Sequence, residues 1–172
     1  QKNIQLTGPT IEAWMENDNI RFLSSYPRPI AVQEDTLTGR LHQMTGDTLH
    51  AYFDEGTIEE IIVFDNSEII FHQRDENDEP DGLIELMSTG PSTMEFLEGE
   101  FDFFKAEQNI DGSYLPEDPE NIERQLDNFR WDPNLNPEKP PVILPRLPEI
   151  PEERAFELPP RYVRYLDNRS EI

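Results

Sequence analysis

A chain of 172 residues and 20.1 kDa is long enough for one sizeable domain with a core of its own. Fourteen Lys and Arg against 37 Asp and Glu leave a formal net charge of −23, which excludes a surface that follows a nucleic-acid backbone. Sixteen prolines and a mean hydropathy of −0.73 favour extended, thinly cored stretches, but ten Phe, five Tyr and two Trp are too many for a chain that stays unfolded.

No run approaches 18 consecutive apolar residues, so nothing reads as a membrane-spanning helix. With no cysteine, disulfides, thiol catalysis and Cys-ligated zinc drop out. The chain opens on Gln1 without a basic and then apolar leader, as expected of a processed form or a piece of a longer protein. Eleven of the prolines fall between Pro116 and Pro160, while residues 1–115 carry 24 acidic and 6 basic side chains, net −18. Composition therefore predicts a β domain over residues 1–115, a short helix and aromatic segment closing it over 116–137, and a Pro-rich extended docking tail over 138–172.

The first part repeats itself. TGPTIEAWM starts at Thr7, TGDTLHAYF at Thr45 and TGPSTMEFL at Thr89, which puts Gly8, Gly46 and Gly90 at spacings of 38 and 44 residues. Six residues after each glycine stands an aromatic (Trp14, Tyr52, Phe96), followed by Met15, Phe53 or Leu97. Short polar turns come next, at 16–19, 54–57 and 98–100, and then another apolar run, so each unit opens as strand, hairpin turn, strand. In the middle copy Leu49, Ala51 and Phe53 alternate with Thr48, His50 and Tyr52, the period of a strand with two distinct faces. Ile58–Phe64 and Glu68–Gln73 add β-branched strands, and Asp75–Gly82 reads as a hairpin tip. In the third copy Met94 and Phe96 take over the alternation, which predicts a bulge or twisted strand there. Units of about four short strands that cannot close a core alone must stack on one another.

Beyond Tyr114, Asp118 is a helix N-cap with Pro119 in the first turn, and a helix over 119–129 would place Ile122, Leu126 and Phe129 on one face. FRW at 129–131 would anchor it. From Asp132 the prolines leave polyproline-like chain, with a last short strand at 161–166.

Chemistry-bearing patterns are sparse. His42, His50 and His72 fall on or beside strands, with His50 and His72 at outward or edge positions, and no convergent partners accompany them. The tip 75–82 places Gly82 where a calcium loop needs glycine if counted from Asn77, but the twelfth position is Ser88. No nucleophile elbow, zinc-protease motif or phosphate loop occurs, and Glu59 and Glu60, adjacent on a strand, face opposite ways. No catalytic residue, metal or cofactor is assigned. The apolar strand positions either fill a sandwich core or line an open apolar groove.

GDTLHAYFDEGTIEEIIVFDN, followed by a strand and then GSYLPEDPENIERQLDNFRWDPNLNP, resembles the OstA-like proteins of the Bacteroidota, relatives of the lipopolysaccharide-transport proteins LptA, LptC and the periplasmic domain of LptD. The resemblance covers roughly residues 7–137. It implies an all-β fold, a stacked-hairpin open β-jellyroll, followed by the short helix and the extended tail. It also implies a periplasmic location, associated with the outer membrane, and a non-enzymatic role: sheltering the acyl chains of lipopolysaccharide or another lipid in an apolar β-groove. The groove would be lined by Ile11, Ala13 and Met15, by Leu49, Ala51 and Phe53, and by Leu97. Implied partners are other β-jellyroll transport proteins or an outer-membrane protein complex.

Two other readings stand beside the carrier. One is a structural or interaction subunit docked through its tail, where Leu144, Leu147, Ile150, Phe156, Tyr162 and Tyr165 stand between prolines that fix φ beforehand. The other is a surface fibre or adhesin module, because repeats also build such arrays.

Overall fold

The structure of the protein is a computed structural model that describes residues 4–97 and 100–134. The chain divides into two units, Gln1–Pro133 and Asn134–Ile172, and the strands and helix of the described residues belong to the first. The tail positions Leu144, Leu147, Ile150, Phe156, Tyr162 and Tyr165, and the strand expected at 161–166, lie outside the described residues, as does the turn at 98–99.

Among the described residues twelve strands run in order: β1 (Ile4–Thr7), β2 (Thr10–Glu16), β3 (Asn19–Tyr26), β4 (Ile30–Glu34), β5 (Leu41–Thr45), β6 (Thr48–Asp54), β7 (Thr57–Phe64), β8 (Ser67–Arg74), β9 (Pro80–Ser88), β10 (Ser92–Leu97), β11 (Glu100–Ala106) and β12 (Asp111–Pro116). One helical turn, α1 (Pro119–Ile122), comes after them. The strands form two antiparallel sheets that do not close into a barrel. Sheet A has the order β1-β4-β5-β8-β9-β12, and sheet B the order β2-β3-β6-β7-β10-β11. The expected all-β, open stacked-hairpin architecture is the one found: each hairpin lies in one sheet, and the next hairpin lies in the other.

This alternation gives the domain two unlike long sides. The chain changes sheet at 8–9, 27–29, 46–47, 65–66, 89–91 and 107–110, all at the same ends of the strands. The hairpin turns at 17–18, 35–40, 55–56 and 75–79 lie at the opposite ends. The sheets are therefore sewn together along one side, and along the other no backbone joins them among the described residues.

Glycine marks the seam for a reason of space. A Cβ on Gly8 would lie 2.2 Å from Ser25 Oγ, on Gly46 2.1 Å from Val63 Cγ1, and on Gly90 2.4 Å from the Glu107 carbonyl oxygen. At each of these crossings from sheet A to sheet B the backbone passes against a neighbouring strand with no room for a side chain. The sheet B hairpins β2–β3 and β6–β7 close through two left-handed residues, Asn17-Asp18 and Glu55-Gly56, which matches the twist of paired strands.

Residues opposed across a ladder point to one face. One inward row of sheet B runs Ile11, Ser25, Leu49, Val63, Ser92, Ala106, and the next runs Ala13, Leu23, Ala51, Ile61, Met94, Phe104. Sheet A answers with Leu6, Ala31, Met44, Ile69 and Leu86. The core between the sheets is built from these two sets.

The third repeat does shift: Ser92 occupies the row of Leu49, which turns Met94 and Phe96 inward and leaves Leu97, assigned to the groove, 66% exposed. Its bulge, however, is not peculiar to it. Ladder slips between Trp14 and Met15, Tyr52 and Phe53, and Glu95 and Phe96 occur at the same place in all three sheet B hairpins.

A second apolar layer covers the outer face of sheet A. Ile30, Val32, Ile70 and Leu83 pack under Leu126, with Phe129 and Trp131 beside them. Asp118 caps α1 by accepting from the N–H groups of Glu120 and Asn121, as its sequence predicts. The expected helix to residue 129 nevertheless stops after one turn. Gln43 explains the stop: its Oε1 accepts from Leu126 N–H at 2.9 Å and its Nε2 donates to the Arg124 carbonyl at 3.1 Å, taking backbone groups that a longer helix would use itself. Gln5 grips the N–H and carbonyl of Asp132 in the same reciprocal way, at 3.0 and 2.7 Å. Residues 117–133 thus form a strap from the β12 edge to the β1 edge.

Replacing Gly46 by Ala places a methyl group on Val63, itself fully buried. We expect a loss of about 3 kcal/mol, the cost of overpacking a tight site, read as a lower urea midpoint at unchanged slope.

Candidate functional site

Two features of the domain could hold a ligand: the apolar interior, and a cleft where that interior reaches the unsewn side. The interior contains the sequence-predicted groove positions. Leu49 and Ala51 lie buried in it and Phe53 packs at its margin. Ile11, Ala13 and Met15 share this face by register but sit on β2, the edge strand of sheet B, with Ile11 48% and Met15 60% exposed. The inward face is therefore buried at its centre and exposed at the β2 edge.

Aromatic rings join the sheets at the hairpin side. Phe71 of β8 lies 4.5 Å from Phe101 and 5.9 Å from Phe104 of β11, ring centre to ring centre, and Phe101 meets Phe96 edge-on at 6.5 Å. His42 of β5 stacks on Phe71 at 4.4 Å with planes 13° apart. The β5–β8 ladder runs from Thr45 to Gln43 and goes no further. Beyond it His42 Nδ1 accepts the His72 N–H at 3.2 Å, a side chain standing in for a strand carbonyl.

Above these rings opens a cleft of about 480 Å³. Phe71, Phe101 and His42 belong to its floor, and Gln33, Asp35, Arg74, Asp75 and Asp78 to its walls and rim. Arg74 bridges the rim, reaching Asp35 at 3.4 Å and Asp78 at 2.8 Å. Burial raises the Asp35 carboxyl's pKa, but hydrogen bonds from Thr38 Oγ1 and Leu37 N–H and the charge of Arg74 outweigh it, so the net lies below the usual carboxylate value. Burial first, and then the neighbouring His72, lowers His42 to about 4. His72 is lowered as well, by burial first and then by the charge of Arg40.

The two histidines expected at outward positions do face outward by register, His50 opposite Ser24 and His72 opposite Leu83, but both are buried there. His50 sits edge-on between Phe22 and Phe64 at 5.0 and 4.9 Å, and His72 beside His42 at 6.2 Å. The tip at 75–82 consumes its own carboxylates: Asp75 Oδ1 accepts from the N–H groups of Asn77 and Glu79, and Asp78 pairs with Arg74. Among the described residues no three His, Asp or Glu side chains gather as metal ligands. Sequence reasoning missed Phe71, Phe101 and Gln33. The alternation of β8 marks Phe71 as inward, but its meeting with Phe101, thirty residues away, depends on the pairing of sheets.

Comparison with family models, with curated proteins and with solved structures gives no match to this chain.

His42 makes the fold acid-sensitive. Its folded pKa lies below the unfolded value of 6.5, so its stabilisation is complete above 6.5 and is lost as pH falls toward 4. Stability should drop by roughly 3 kcal/mol across that window. His42→Gln keeps an acceptor for the His72 N–H and should flatten most of the slope in urea titrations run from pH 7 to 4, leaving the smaller part due to His72.

Proposed function

We propose that this protein is a non-catalytic carrier that shelters lipid chains between its two sheets, with lipopolysaccharide as the first candidate cargo and the periplasm as its place of action. One observation carries the reading. A continuous apolar interior is sewn shut along one long side and held along the other by packed aromatic rings, with no backbone crossing there among the described residues. Rings can separate and re-form at a cost set by their buried area, whereas crossings cannot. A lipid chain entering from that side would replace ring-to-ring contacts with contacts to itself. The resemblance to the OstA-like proteins supports the same reading and supplies lipopolysaccharide and an outer-membrane assembly as cargo and partner.

A second reading rests on how full the interior is: Leu49, at 1% exposure, and Val63 and Ile69, both fully buried, leave no empty channel at its centre. In that reading the jellyroll is a rigid subunit and the tail makes the contact.

A photoreactive residue separates the two. With p-benzoylphenylalanine in place of Phe53, at the margin of the interior, a carrier should crosslink lipopolysaccharide at least tenfold more than with the same group at Met87, which is exposed on the outer face of sheet A. Equal labelling at the two positions would leave the rigid-subunit reading.

A further inference from the structure

The cleft over the aromatic rings has a chemistry of its own. Its floor, Phe71 and Phe101 with the neutral ring of His42, is continuous with the interior through Phe96 and Phe104. Its rim carries Asp35, Asp75 and Asp78 against one guanidinium among the described residues, Arg74, which is already shared between Asp35 and Asp78. Gln33 supplies a separate pointer. Register with Ile4 and His42 turns it to the inward face, it lines the cleft at 7% exposure, and its Oε1 is buried without a donor among the described residues. A buried acceptor lacking a donor costs free energy that a ligand N–H would recover.

We propose that this cleft is the headgroup site of an amphiphile bearing an ammonium group, whose chain continues past Phe71 and Phe101 into the interior. The proposal rests on the carrier reading's apolar interior but moves the cargo of this cleft away from lipopolysaccharide, whose phosphate-bearing head it would repel, toward an amphiphile with a cationic head. An ammonium donates to Gln33 Oε1, neutralises the acidic rim, and is attracted to the faces of the aromatic floor. A phosphate or sulfate head meets net negative charge and an acceptor that offers it nothing. A hard divalent cation needs several free oxygens, but Asp75 Oδ1 is bound to Asn77 and Glu79 N–H, and both oxygens of Asp35 are bound to Leu37 N–H and Thr38 Oγ1. The volume, about 480 Å³, falls within the roughly 300–1,000 Å³ typical of small-ligand sites.

Titration calorimetry on the full chain, at low salt and below the micelle concentration, tests this with dodecylammonium, dodecyl sulfate, dodecanol and ethylammonium. Dodecylammonium should bind one to one and about tenfold or more tighter than dodecyl sulfate, and ethylammonium, which has the charge without the chain, far more weakly. Arg74→Gln, which releases Asp35 and Asp78, should tighten dodecylammonium binding about fivefold, and Gln33→Leu should weaken it by a similar factor. Arg21→Gln controls for overall charge, because Arg21 pairs with Glu16 and Asp54 on the sheet B hairpins, and it should change nothing. Circular dichroism of each variant checks the fold.

Dodecyl sulfate binding as well as dodecylammonium, ethylammonium matching it, or equal shifts in Arg74→Gln and Arg21→Gln would each overturn the headgroup assignment. The carrier reading would then still be decided by the crosslink at Phe53. Binding by none of the four compounds overturns the assignment as well.

Discussion

Three glycines that leave no room for a side chain set the plan of this domain. At Gly8, Gly46 and Gly90 the chain leaves sheet A and enters sheet B so close to Ser25, Val63 and Glu107 that the two sheets are held together at that side. Because every hairpin then runs out to the far side and back, the covalent links between the described strands of the two sheets fall on one edge. A single steric requirement, met three times at spacings of 38 and 44 residues, thereby produces a body with a seam and a mouth.

The two sheets carry different burdens. Sheet A buries apolar side chains on both faces because the strap at 117–133 lies over the one turned away from sheet B, and its β4 and β8 strands accordingly each carry an apolar triplet, at 30–32 and 69–71. The strap is fixed less by helix propensity than by two glutamines. Gln43 and Gln5 each offer a donor and an acceptor to the same stretch of backbone, so both polar ends of the amide are satisfied where a charged side chain would meet apolar neighbours. Packing of Leu126, Phe129 and Trp131 supplies the apolar part.

At the mouth the same economy takes a different form. His42 completes a ladder with its ring and stacks on Phe71, and Phe71 in turn reaches sheet B through Phe101 and Phe104. One small cluster therefore holds the end of sheet A together and holds the two sheets to each other. Its members are neutral under an acidic rim, which gives the opening an apolar floor and a negative border. That combination discriminates between headgroups, and the interior behind it cannot, because apolar burial is indifferent to the charge at the far end of a chain.

Much of this was legible in the sequence because it is local. The glycine repeat, the alternation of Leu49, Ala51 and Phe53, the turn residues at 17–18 and 55–56, and the Asp118 cap all act over a few residues, and they determined strands, hairpins and the inward face of β6. The shift of the third repeat was visible for the same reason, yet Leu97 was still placed by its distance from Gly90, and a slip of one residue sends a side chain to the opposite face. What the tertiary structure decided involves partners 14 to 127 residues apart: the alternation of hairpins between sheets, the grip of Gln43 and Gln5 on the strap, the meeting of Phe71 with Phe101, and the burial of His42, His50 and His72. Strand periodicity tells a residue which face it takes. Only the pairing of sheets determines what that face meets, and it is that meeting which sets burial, pKa and the chemistry of the cleft.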